Sequence, residues 1–388
     1  MSEWKEYKLG DVVSISSGFA YKGELIGRGE SFLLGMGCVS FKEKFLHSGA
    51  RLYAGDCPDR YCAEVGDIVL ATRQQSDNLP ILGMPAIIPD TYANKKLIIG
   101  ANLYKVTNNS DFDNKYIYWL LKSVDYVRYI RSCQSGTSVR MITKANIENY
   151  TFKAPDKVTR DRISNILWNI EYKIDLLNRE NATLEAMAET LFRQWFIEEA
   201  KEDWEEGKLG DEFAFIMGQS PSGDSFNEEG VGIPMYQGNA DFGFRFPTRR
   251  VYTTQPTRFA EVNDTLISVR APVGAQNMAM EKCCIGRGVA AFRYKNNPSC
   301  FSYTYYKLKS LLEEIKQFND NGTVFGSISK SDFENLDIVI PDENTIISFQ
   351  QQVKAIDDKI INNNNEIHIL IQTRDGLLPR LMGGEIKI

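Results

Sequence analysis

The sequence predicts an α+β fold used twice: two globular mixed domains at opposite ends of two long helices that form an antiparallel coiled coil, related by an internal pseudo-two-fold repeat. Two observations predict it. Whole segments recur at long offsets, and each copy ends in a helix with a heptad seam. Trp4 with Lys8-Leu9-Gly10-Asp11 returns as Trp204 with Lys208-Leu209-Gly210-Asp211 (204 − 4 = 200). Ser135-Gly136-Thr137 through Ile142-Thr143-Lys144 returns as Asn321-Gly322-Thr323 through Ile328-Ser329-Lys330 (322 − 136 = 186), and this offset runs on from Pro155 and Pro341 to Leu191 and Leu377. A segment copied at such a period is a structural unit, and two copies present two similar surfaces. The 388 residues divide into halves of ordinary domain size.

The elements follow in chain order. Residues 1–155 form the first mixed domain, 156–200 the first long helix, 201–341 the second mixed domain and 342–388 the second long helix. In each mixed domain a turn followed by a β-branched apolar run predicts a strand, Gly66 to Arg73 in one copy and Asn263 to Arg270 in the other. Leu97-Ile98-Ile99-Gly100 and Cys284-Ile285-Gly286 predict a second pair of strands. Tyr116 to Leu121, continuing with Val124, Val127 and Ile130, predicts an amphipathic helix, matched by Tyr303 to Leu308 with Leu311, Leu312 and Ile315.

Steps of four and three from Ile163 meet Leu167, Ile170, Ile174, Leu177, Asn181, Leu184, Ala188, Leu191 and Trp195. The second copy gives Phe349, Val353, Ile356, Ile360, Asn363, Ile367, Leu370, Arg374, Leu377 and Leu381. Strict spacing over about five heptads is a coiled-coil seam rather than the face of an ordinary core helix. The two asparagines set the direction. Parallel pairing of equivalent positions leaves each amide against an aliphatic chain, whereas an antiparallel register (181 + 363 = 544) sets Asn181 on Asn363 and avoids two unsatisfied buried groups, about 1–3 kcal/mol each. The same register places Leu184 on Ile360, Leu191 on Val353 and Ile163 on Leu381, and it leaves Ile170 opposite Arg374 as its one poor pair.

Composition narrows the function. No apolar run approaches the ~20 residues of a membrane span, and the first residues lack a signal-peptide pattern, so the sequence predicts a cytoplasmic chain. Seven cysteines without a Cys-x-x-Cys make neither a disulfide framework nor a zinc site; Cys57 with Cys62 and Cys283 with Cys284 read as buried thiols. His47 and His368 are the only histidines, and both read as surface positions. Net charge is −6, but acidic residues gather between Glu198 and Glu206, so nucleic acid remains open as a partner. There is no Asn-Pro-Pro-Tyr or Asp-Pro-Pro-Tyr methyltransferase motif, no Gly-x-Gly-x-x-Gly and no Gly-Lys-Ser/Thr phosphate loop, so no cofactor and no metal is expected.

Several features in a repeated order carry a family resemblance: Thr190 to Phe196, then Trp204 and Lys208 to Asp211, Gly218-Gln219-Ser220-Pro221-Ser222, Ile233 to Gly238, the Gly136 and Gly322 turns, and a helix after Pro155 and after Pro341. The chain resembles, over essentially its full length, the specificity subunit of type I restriction-modification enzymes. It departs from the family in having Arg160-Asp161 and Ser348-Phe349-Gln350 where a Glu-Gln pair usually follows that proline. The resemblance implies two target recognition domains, each reading half of a split, asymmetric site in double-stranded DNA, with the helices as a ruler between them. It also implies a non-catalytic subunit that docks two DNA methyltransferase subunits and, beyond them, ATP-dependent restriction subunits.

Base reading requires paired donors and acceptors, held in place by contacts to phosphate. The candidates are Gln237, Asn239 and Asp241 in one loop, Arg73-Gln74 and Arg270 at the strand ends, and Arg287 in the Gly286-Arg287-Gly288 turn. Behind the Gly-Thr turns stand Thr137, Ser138, Arg140 and Lys144, matched by Thr323, Ser327 and Lys330. The counterpart of the loop Tyr236 to Asp241 is Gly35 to Ser40, aligned from Tyr236 on Gly35 and much less polar, so the halves read by different means. Two blander readings stand beside these: Thr143 and Ser329 as helix caps with solvated lysines, and Arg73 and Arg270 paired with Asp67 and Asp264. Two rival functions also remain: a standalone DNA-binding or scaffold protein without restriction partners, and a methyltransferase carrying its own recognition domain.

The helix register gives the first test. Cysteines at 181 and 363 should crosslink on oxidation, read on a non-reducing gel; preferential crosslinking of 181 with 367 rejects the register.

Overall fold

The computed structural model describes residues 4–75, 80–136, 138–317, 327–386 and 388. It divides into two compact units, Met1–Leu176 with Glu366–Ile388 and Leu177–Asn365, so each unit holds one mixed domain and part of both long helices, Lys157–Arg193 and Glu343–Met382.

In the first unit, Lys5–Lys8 pairs antiparallel with Thr151–Ala154. An antiparallel sheet then runs Val13–Ser17, Leu103–Asn108, Ile68–Ala71, Pro85–Ile87. A second sheet runs Ala50–Tyr53, Ile26–Leu34, Leu97–Ile99, Cys62–Ala63, with Ile26–Leu34 and Leu97–Ile99 parallel. The predicted turn is built by Gly66 at φ +84°, matched in the other unit by Asn263 at φ +68°, and the buried run Ile68–Ala71 leaves it. Such a left-handed corner selects glycine or asparagine over branched residues.

The helix after the sheets differs from expectation. It is two helices, Asn114–Lys122 and Val124–Cys133, because Ser123 turns extended at ψ 150° and its side chain caps the second through the Tyr126 amide. Val124 consequently points to solvent, while Ile130 stays in the core. That core packs Tyr116, Trp119 and Leu120 on Ile163 and Leu167 of the first long helix and Leu381 of the second.

The second unit repeats the plan. Glu205–Lys208 pairs with Asp337–Ile340. One sheet runs Phe213–Met217, Val289–Tyr294, Thr265–Ser268, Gln276–Met278, and a five-stranded sheet contains the parallel pair Ile233–Tyr236 and Cys283–Ile285. The helices Phe301–Ser310 and Leu312–Gln317 complete it. All seven cysteines are free thiols; Cys57, Cys283 and Cys284 are buried as expected, whereas Cys62 is only half-buried, and His47 and His368 are exposed. Among the described residues no helix is long and apolar enough to cross a membrane.

The helix seam has the expected direction within each unit. In the second, the Asn363 amide donates to Asn181 Oδ1 at 2.9 Å and to Glu180 at 2.9 Å, and Phe349 packs on Phe192 and Phe196. Leu184, Leu191, Val353 and Ile360 share one core. In the first unit the poor pair resolves: Arg374 turns past Ile170 to Glu171, 2.8 Å away, and both partners are buried. A charge that reads as a seam defect is thus a buried ion pair, and removing either member strands the other.

The short helix Leu209–Glu212 differs from its copy, Leu9–Val12, in carrying a buried carboxyl where the first copy has Val12. Burial pushes the Glu212 carboxyl up to about 7, opposed by Lys307 and by the Tyr303 hydroxyl, which donates to it at 2.6 Å. The folded chain therefore holds this proton more tightly than the unfolded chain. The contribution is full below the usual 4.5 and is lost as pH rises to about 7. Glu212→Gln should flatten the fall in stability across that window, a difference on the order of 1–3 kcal/mol in denaturant unfolding. Parallel pH profiles for the two proteins contradict this.

Candidate nucleic-acid interface

In the second unit the parallel strands Ile233–Tyr236 and Cys283–Ile285 end side by side, so the loops that follow them rise together. The Gly286 amide donates to the Tyr236 carbonyl at 2.8 Å. A Cβ on Gly288 would lie 2.2 Å from the Gln237 carbonyl, so only glycine allows the loops to close on each other. Between them opens a cleft of 600 Å³. Its lining gathers five of the residues singled out from sequence: Gln237, Asn239, Asp241, Arg270 and Arg287.

These five do different work. Asp241 is buried and holds its own loop: one oxygen accepts the Gln237 amide at 2.7 Å, and the other takes Arg250 through Nε at 3.0 Å and Nη2 at 2.6 Å. Gln237 and Asn239 are exposed. The Arg287 amide donates to Ser220 Oγ at 3.2 Å, which ties the Gly218 to Ser222 segment to the cleft floor. Arg270 follows Thr265–Ser268 and forms a β-bridge with Ser327. Lys330 stands apart, paired with Glu334 at 3.0 Å.

The first unit has the same frame. Leu34 pairs with Ile99 as Tyr236 pairs with Ile285, so Gly35 is the counterpart of Gln237. Aligning Gly35 with Tyr236, as the sequence suggests, is wrong by one residue, because the polar loops give no register and only the strand pairing does. The cleft here is smaller, 330 Å³, and is lined by Tyr21, Met36, Ser48, Arg51 and Asn102 among glycines. Sequence reading missed Arg51, Tyr21, Ser48 and Asn102. Strand pairing sets Arg51-Leu52-Tyr53 where the second unit has Val251-Tyr252-Thr253, a correspondence that no shared residue marks in the sequence.

The first-unit candidates lie beside that cleft rather than in it. Arg73–Gln74 pairs antiparallel with Arg140–Met141, so the strand end and the Gly136 turn do meet. Arg73 is exposed, but Gln74 is buried, and its Oε1 accepts the Leu82 amide at 3.3 Å. That makes Gln74 a structural side chain, a correction to its reading as a base contact. Arg140 reaches Gln134 at 3.5 Å, Ser138 is exposed, and the Lys144 ammonium stands 6.0 Å from the Tyr104 ring centre. Thr137 and Thr323 lie outside the described residues.

Both blander readings have an answer. Thr143 and Ser329 each form a capping box, with Asn146 and Asp332. Asp67 pairs with Lys105 and Asp264 with Arg293, so neither acid holds Arg73 or Arg270. Among the described residues no cluster of three or more metal-ligating side chains occurs.

One frame built twice, with a cleft at the same strand ends and different side chains in each, defines a duplicated recognition protein. Comparison with known proteins gives the family. The chain belongs to the type I restriction modification DNA specificity domain family, whose model matches residues 1–186 and 201–372. It is 29% identical over 351 residues to the MjaX specificity-subunit sequence of Methanocaldococcus jannaschii, covering 85% of this chain and 80% of that one. It is 22% identical to the type I restriction enzyme HindI specificity subunit of Haemophilus influenzae, over all of both chains. Among solved structures, the type I restriction-modification S subunit of M. genitalium shares the fold at a TM-score of 0.60 and 17% identity, covering 98% of this chain and 96% of that one.

Proposed function

We propose that this chain is the DNA-reading subunit of a type I restriction-modification complex, and that it recognises a split, asymmetric site. Residues 1–155 and 201–341 are the two reading domains, and the helices of 156–200 and 342–388 set the distance between the half-sites. The chain has no catalysis of its own. It positions two DNA methyltransferase subunits, and through them ATP-dependent restriction subunits.

One observation carries this reading: the two units keep the strands, turns and bridges of one frame and differ in what lines the cleft, Gln237, Asn239 and Arg287 in one against Met36, Arg51 and Asn102 in the other. A nearly symmetric frame with unlike linings suits an asymmetric duplex whose two half-sites differ in sequence. The specificity subunits named among its relatives support the same role.

Genome-wide mapping of methylated adenine, with and without this gene, tests the function. The expected result is one bipartite motif with two unlike half-sites and a fixed spacer, present only with the gene. Loss of no motif on deletion contradicts the proposal.

A further inference from the structure

Arg270 and Arg287 line one cleft, and residue type alone does not separate them. The internal repeat does. Ala71 pairs with Leu103 as Ser268 pairs with Val289, which makes Arg73 the counterpart of Arg270. The partners agree as well, since Arg73 bridges to Met141 and Arg270 to Ser327, positions that correspond in the 186-residue repeat (327 − 141 = 186). Both copies therefore keep this arginine with its neighbouring strand. Arg287 has no such twin. The same offset gives Ala101, set after Gly100 as Arg287 is set after Gly286.

Contacts to phosphate serve any sequence and suit a position that both copies share, whereas contacts to base edges suit a position at which they differ. We propose that Arg287 reads a guanine in the half-site bound by the second unit, and that Arg270, like Arg73, holds backbone phosphate. This rests on the DNA-reading function proposed above.

The surroundings of the two arginines agree with this division. Arg250 is held by both contacts to Asp241, whereas no side-chain partner engages the guanidinium of Arg287 or Arg270 among the described residues. Arg287 is exposed between two glycines that hold its backbone close to the Gln237 loop, and it lines the same cleft as the exposed amides of Gln237 and Asn239. Guanine offers O6 and N7 to such a fork, and an amide does the same for adenine. Among the described residues the cleft lining holds no lysine, and its one carboxylate, Asp241, is taken up by Arg250. Arg270 is bridged to the exposed hydroxyl residue Ser327, a neighbour suited to a backbone phosphate.

The test uses the chain in complex with its methyltransferase subunits. Binding is measured to the mapped duplex and to duplexes with each half-site base pair changed singly, for wild type, Arg287→Gln and Arg270→Gln. Arg287→Gln should lose about 10- to 100-fold of preference at one G·C pair and keep its preference at every other position, which also shows that it is folded. Arg270→Gln should bind all duplexes more weakly, keep their rank order, and lower the slope of log affinity against log salt by about one. The proposal is overturned if Arg287→Gln keeps every preference, if it weakens all duplexes alike, or if Arg270→Gln erases a base preference. A wild-type complex without any site preference overturns the DNA-reading function itself, and this inference with it.

Discussion

Arg245 is the interaction on which the second unit's cleft depends. It sits in the loop between Asp241 and Arg250, and it is buried to 2% exposure. Its guanidinium stacks on the Tyr305 ring at 3.5 Å, donates to the Tyr306 hydroxyl at 3.2 Å, and meets Asp357 of the second long helix at 2.9 Å. Glu185 of the first long helix stands 3.8 Å away and is held in turn by Lys309 at 2.7 Å. A buried guanidinium is tolerable only with such a set of partners, and withdrawing it would strand two carboxylates. The loop therefore has one solution: its middle is fixed to both helices, and its two ends are clasped to each other by Asp241 and Arg250. The cleft wall is thereby tied to the helix seam, which is registered by the buried amides of Asn181 and Asn363.

The first unit meets the same demand with other residues. Glu171, the repeat equivalent of Asp357, is neutralised by Arg374 from the opposing helix rather than by an arginine from the reading domain. Lys44 reaches Asp175 instead, and Arg160 lies against the Phe112 ring while pairing with Asp111. The copies thus conserve backbone frame, strand pairing and turn geometry, and they exchange the polar contacts and the cleft lining. Physical necessity explains the split. Strand pairing and glycine corners have few alternatives, whereas a buried charge can be satisfied by any partner within reach.

The same distinction explains what could be read from sequence. Elements with a period or a fixed turn chemistry were legible: both long helices, the antiparallel register at Asn181 and Asn363, the strands after Gly66 and Asn263, and the caps at Thr143 and Ser329. The grouping of Gln237, Asn239, Asp241, Arg270 and Arg287 was legible only as a shared residue chemistry; the parallel strand pair turned it into one cleft. Elements set by tertiary partners were not legible. Gln74 reads as a polar strand end, yet an amide from the loop ahead of it buries it. Arg245 reads as one of many surface arginines, and nothing local marks it as the anchor. Arg51 was missed because its place depends on the pairing of an outer strand.

The central claim is that bases are read where the parallel strands end. The most direct measurement is a structure of the chain with its methyltransferase subunits on a duplex carrying the mapped motif. The account predicts base edges in both clefts, with Gln237, Asn239 and Arg287 within hydrogen-bond distance in one and Arg51 or Asn102 in the other. A duplex that crosses another face and leaves both clefts to solvent would contradict it.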